Sequence, residues 1–203
     1  MRMLRKMVLI SVLLLVFVWF CGIAAQRLQL RCNVIRLHVL AASDSESDQA
    51  IKLRVRDAVT EFLRSELAGI EDRQEAEECL TRNLDRIREI ANRTLKELGC
   101  EDQAEIGMKE EAFDTREYDT FSLPAGVYRS LRIVIGEGTG KNWWCVVFPQ
   151  LCVPATAEGF SEAAAECGYS ESLTGALTGD TDYEVRFFLL DCLGKLENFF
   201  FAS

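Results

Sequence analysis

Few side chains in this chain could do chemistry. His38 is the only histidine and sits in the apolar run Val34–Ala42, VIRLHVLAA. A serine hydrolase would need a nucleophile presented to that imidazole, and the sequence holds no G-x-S-x-G elbow. One histidine without a C-x-x-C pair leaves little from which to build a catalytic zinc site. His38 therefore reads as a structural residue satisfied within the fold. Asp44, Glu46 and Asp48 look like the opening of a calcium loop. Gln49, however, stands where the turn glycine belongs, and Val55 where the bidentate glutamate belongs. The acids read instead as helix-capping and loop residues. Gly136, Gly138 and Gly140 before Lys141 lack Walker spacing and the hydroxyl after lysine. Asp180-Thr181 is followed by Asp182, so the Asp-Thr-Gly of an aspartic protease is missing. Cys145 offers a thiol, but an apolar strand disfavours the thiolate.

The strongest feature is the stretch that carries Cys145. Leu131, Ile133 and Ile135 alternate with Arg132, Val134 and Gly136, the period of a β-strand. Three glycines then interrupt a polar connector, as in a hairpin loop. The second run, Trp143–Phe148, has no charged or amide side chain. Trp143, Cys145 and Val147 should point to one face, and Trp144, Val146 and Phe148 to the other. Adjacent Trp143 and Trp144 cannot both enter one core layer, and an uncovered indole makes a docking surface. Trp143, Trp144 and the adjoining Asn142 are the candidate partner-binding residues, with Asp44 from the acidic turn as a fourth.

The elements that must position them follow in order. Ile35, Leu37, Val39 and Ala41 share one face of a first strand. Ile51, Val55, Ala58, Val59 and Phe62 form the stripe of a helix whose outward face carries Lys52, Arg54, Arg56, Glu61 and Arg64. A single second helix is predicted from about Arg73 to Leu98, ended by Gly99. Ala104–Met108 reads as a strand. Residues 154–182, rich in small and polar residues, read as a mobile segment holding one short helix, Phe160–Cys167. Residues 183–203 form a closing helix packed through Val185, Phe188, Leu189, Cys192 and Leu196. Phe199–Phe201 form either its last packed turn or a second apolar patch. The expected fold is α+β: a mixed, largely antiparallel sheet of about four strands, covered by a helical hairpin and the C-terminal helix. The core spans residues 34–153, and residues 26–33 form a linker.

Residues 1–25 are different in kind. Met7–Ala25 carries no charge and follows Arg2, Arg5 and Lys6. As a helix it spans about 28 Å, close to a bilayer's hydrocarbon thickness. The basic flank keeps the N-terminus in the cytoplasm and sends the remainder across. Two readings stay open, a cleaved signal peptide and an uncleaved signal anchor. The formal charge is −9, and six of the 23 basic residues precede the first acid, Asp44. The remainder is strongly acidic, which excludes nucleic-acid binding. Seven cysteines lie beyond the apolar stretch. Cys145 and Cys152 are close enough to bridge, with free buried thiols the alternative.

Two stretches resemble a known family. One is Ile35-Arg36-Leu37-His38-Val39 leading to Ser43-Asp44-Ser45, Asp48-Gln49 and Lys52–Val59. The other is Pro124-Ala125-Gly126 with Leu131-Arg132, Ile135-Gly136-Glu137-Gly138, Asn142-Trp143-Trp144-Cys145-Val146, Phe148-Pro149 and Leu151-Cys152. Together they resemble the stage II sporulation protein R family of endospore-forming bacteria. Departures fall at Ala42, Lys141 and Gln150, where the family pattern suggests Asn, His and Pro. The resemblance implies a signal with no cofactor and no catalysis of its own. It implies export across the forespore membrane into the intermembrane space. It also implies activation there of a membrane-embedded aspartic protease that processes the mother-cell sigma-factor precursor. The alternatives are an extracytoplasmic hydrolase, using Cys145 or Asp44 and Glu46, and a structural module of the spore envelope.

Overall fold

The computed structural model describes residues 1–118, 121–149, 169–179 and 184–201. A long helix α1 (Arg2–Asn33) leads into β1 (Ile35–Leu40), α2 (Glu46–Glu66), α3 (Arg73–Arg82), α4 (Leu84–Glu97) and β2 (Ala104–Phe113). There follow β3 (Arg116–Glu117), β4 (Ser122–Leu123), β5 (Gly126–Ile135), β6 (Asn142–Phe148), α5 (Glu171–Thr178) and α6 (Glu184–Phe201). The main sheet has the order β2-β5-β1-β6. β1 runs parallel to β5, and the β1–β6 and β2–β5 pairs are antiparallel. The α+β class expected from the sequence is the one observed.

β1 lies second from the sheet edge, with helical layers over both faces, and all six of its residues are buried. On one face Ile35, Leu37 and Val39 join Leu131, Ile133 and Ile135 against Val55, Val59, Leu63, Ile87, Ala91 and Leu95 of the helical layer. On the other face Phe113, Tyr128 and Val146 meet Ile23 and Leu30 of α1, Leu173 and Leu177 of α5, and Leu190 of α6. α2 starts where the turn residues predicted it: the Ser45 hydroxyl accepts the Asp48 N–H at 3.1 Å. Glu46 and Asp48 add favourable charge in the first turn.

The structure corrects several expectations. The second helix is two, divided at Asn83, whose side-chain amide donates to the Cys79 carbonyl at 3.0 Å. The strand expected to end at Met108 continues to Phe113, because β5 pairs with its whole length. Residues 26–33 are no linker: they are the last turns of α1, with Gln26, Arg27 and Leu30 buried. Part of the segment expected to be mobile is α5, capped by Ser170 and closed by Gly179 at φ 76. Phe160–Cys167 and Cys152 lie outside the described residues. Phe148 does not share a face with Trp144 and Val146. The register shifts between Ile35 and Arg36, and Phe148 packs with Cys145 and Val147.

The closing helix presents the opposite face to the one expected. Leu190, Asp191 and Gly194 are its buried residues. Val185, Phe188, Leu196, Phe199, Phe200 and Phe201 are exposed. Of the expected stripe only Leu189 packs against the core, and it is half-buried. Gly194 explains the phase: a Cβ there would lie 1.6 Å from the Ala125 carbonyl oxygen.

Candidate partner-binding site

The β5–β6 hairpin loop is tied to the turn after β1. Gly140 N–H donates to Ala41 O at 3.0 Å, and Thr139 N–H to Ala42 O at 3.3 Å. Lys141 N–H donates to Asp44 Oδ1 at 2.6 Å. A Cβ on Gly140 would sit 2.1 Å from Ser43 O, so the third loop glycine is there for close approach. The turn is braced from within: Ser43 bonds Asp48, and Gln49 Nε2 donates to Ser43 O at 2.9 Å.

Lys52 closes this arrangement, and the sequence reading put it on the wrong face of α2. It is 4% exposed, and its ammonium donates to Lys141 O at 2.9 Å and Gln49 Oε1 at 2.6 Å. Burial, with Arg56 and Lys141 nearby, holds its pKa below the ordinary lysine value. The signal was present in the sequence, since Lys52 lies in phase with the buried Val55, Val59 and Leu63. Asp44 remains exposed, but one carboxylate oxygen is committed to the loop.

The two tryptophans part to opposite faces. Trp143 is 37% exposed, and the Arg56 guanidinium stands 4.2 Å over its ring. Asn142 beside it is exposed. Trp144 is half-buried on the face that α1 and α6 cover. Its ring stacks on His38 with centroids 3.6 Å apart, and meets Phe113 edge-on at 4.7 Å. The exposed indole at the sheet edge is thus that of Trp143.

Beneath Trp144 lies a polar cluster that the sequence did not disclose. His38 Nδ1 lies 3.1 Å from Glu111 Oε1, Arg132 reaches the same carboxylate at 3.5 Å, and the Ser130 hydroxyl donates to it. Burial alone would raise the Glu111 pKa. Hydrogen bonds from His38 and Ser130, and the charges of His38 and Arg132, outweigh it and hold the carboxyl below its ordinary value. Ser130 thus faces a carboxylate and not the imidazole, so the pairing that would activate a serine nucleophile is not made. Arg36, fully buried, lies 4.0 Å over the Phe113 ring and donates to the Tyr118 hydroxyl at 2.9 Å. Cys145 is disulfide-bonded. Among the described residues no group of three or more His, Cys, Asp or Glu could hold a metal ion.

Of the stretches whose likeness lies in the sequence, the turn after β1, α2 and the hairpin loop form one spatial unit. The family described as Stage II sporulation protein R matches residues 31–158. Stage II sporulation protein R of Bacillus subtilis (strain 168) is 37% identical over 120 residues, which are 59% of this chain and 54% of that protein. The chain thus spans about half the length of that relative. No solved structure matches. The matched region holds the six strands found among the described residues and α2–α4, and its extent shows that the chain belongs to the stage II sporulation protein R family.

Proposed function

We propose that this protein is an exported sporulation signal that activates a membrane-embedded aspartic protease, which then processes the mother-cell sigma-factor precursor. The observation that carries the reading is Trp143. A partly exposed indole on an edge strand, held by Arg56 and by a loop bonded to Asp44 and Lys52, is a preorganised aromatic anchor. Asn142 offers an amide beside it. The catalytic aspartates belong to the partner in this reading. A hydrolase using Cys145 draws no support, because its sulfur is engaged in a disulfide.

Export rests on α1, which is long and apolar enough to cross a membrane by length and composition. We read it as a retained anchor. Ile23, at 1% exposure, packs in the same core as Leu30, so a cut near Ala25 would strip a buried side chain from the domain. The forespore membrane is the one crossed, and the space beyond it is where the domain acts. Co-expression of the chain with the protease and the sigma-factor precursor tests the proposal. Precursor cleavage should rise when the chain is present, and unchanged cleavage refutes it.

A further inference from the structure

We propose that α6 lies on the membrane surface, with Val185, Phe188, Cys192 and Leu196 set into the boundary between headgroups and acyl chains. This would be a second membrane contact beside α1, and it rests on the reading of α1 as a retained span. The four side chains lie on one stripe of α6 and all are exposed, Val185, Phe188 and Leu196 to 53% or more. Two of the helix's three acids turn away from that stripe. Asp191 accepts from Ala125 N–H at 2.8 Å, and Glu197 takes Arg27 at 2.7 Å and Arg31 at 2.8 Å. An apolar face of this kind on a helix seated at a bilayer surface is the pattern of an interfacial helix.

The position of α6 selects lipid as the occupant. Arg186 donates to Gln26 at 2.9 Å, and Gln26 directly follows the apolar stretch that ends at Ala25. The stretch from Arg186 to Glu197 covers about 16 Å of helix, whereas their partners on α1, Gln26 to Arg31, cover at most about 8 Å. The polar contacts of α6 are thus gathered on the turns of α1 just beyond its apolar stretch, which sets the helix beside the bilayer surface. Its contacts begin within about 2–9 Å of the end of the apolar stretch, the depth of the headgroup layer. The domain's net negative charge gives no attraction to anionic lipid, so apolar burial must supply the contact, and zwitterionic vesicles suffice to test it.

Cys192 lies on the stripe and provides the probe. The full-length protein is reconstituted into phosphatidylcholine vesicles with a small fluorophore on Cys192, on Cys21 or on Cys100, the other free cysteines being replaced by alanine. Lipids brominated near the top of the acyl chain serve as quencher. The proposal expects the Cys192 label to lose most of its emission and to resist aqueous iodide, with the Cys100 label unaffected by bromine. A Cys192 label that stays bright while Cys21 is quenched overturns the proposal and leaves the anchor intact. If that bright label also resists iodide, a protein covers the stripe instead, a second copy included. Equal quenching at Cys100 and Cys192 also overturns it. A Cys21 label untouched by bromine refutes the anchor reading itself.

Discussion

The imidazole of His38 lies flat on the indole of Trp144, ring centroids 3.6 Å apart and planes within 22°. One residue earlier, Trp143 turns to the other face of the sheet, where the Arg56 guanidinium stands over its ring. Two neighbouring indoles therefore have different jobs, and substitution should separate them. Trp144→Ala removes packing against His38 and Phe113 and should cost about 2–4 kcal/mol, a little below the value for a fully buried aromatic. Trp143→Ala should cost about 1 kcal/mol or less, the scale of an exposed cation–π contact. Urea unfolding of both variants checks the ordering.

The hairpin loop should loosen when its braces are cut. Lys52→Met keeps the buried aliphatic stem and removes the ammonium that Lys141 O and Gln49 accept. We expect a loss of about 0.5–1.5 kcal/mol, the net worth of a hydrogen bond to a part-buried acceptor. Hydrogen exchange should quicken at Thr139, Gly140 and Lys141. Asp44→Ala should quicken exchange at the same amides and change global stability less, because Asp44 is exposed.

Glu111 should make the fold acid-sensitive. Its folded pKa lies below the ordinary 4.5, so the folded state prefers the carboxylate. That stabilisation is complete above 4.5 and is lost as pH falls through the lowered folded value. Glu111→Gln should therefore lower stability at neutral pH and flatten this part of the acid limb. Urea unfolding of both proteins across pH 2–7 gives the comparison.

Gly194 sets how closely α6 can approach the β4–β5 turn. Gly194→Ala places a methyl on the Ala125 carbonyl and should cost about 1–3 kcal/mol through overpacking. Exchange should rise along α6 and at Ala125 N–H, which donates to Asp191. The α2–α4 layer, on the opposite face, should be unaffected.

Much of this architecture was legible in the sequence, because β1, α2 and the hairpin strands carry clean periods. Ile35, Leu37 and Val39 mark one face of β1, and Val55 and Val59 mark the buried side of α2. The division at Asn83 was hidden, since Leu80, Leu84 and Ile87 continue one stripe through it. The phase of α6 is hidden for a different reason. Apolar residues surround it, so periodicity could not choose a face, and the packed side is marked by Asp191 and Gly194. A carboxylate that accepts a backbone N–H and a glycine that admits a carbonyl do not register as hydrophobic signal. The charge of Lys52 points outward in a sequence reading, whereas its phase with Val55, Val59 and Leu63 points inward. Trp143 and Trp144 could be singled out from their adjacency, but which one faces outward depends on how the layers stack. The cluster of His38, Glu111 and Ser130 joins three strands, and no local spacing reveals it.

The most direct measurement is cleavage of the sigma-factor precursor by the co-expressed protease, with the wild-type chain and with Trp143→Ala exported to equal levels. The account predicts strong stimulation by the wild type and little by the variant, whose fold stays intact. Full stimulation by Trp143→Ala, or none by the wild type, would contradict it.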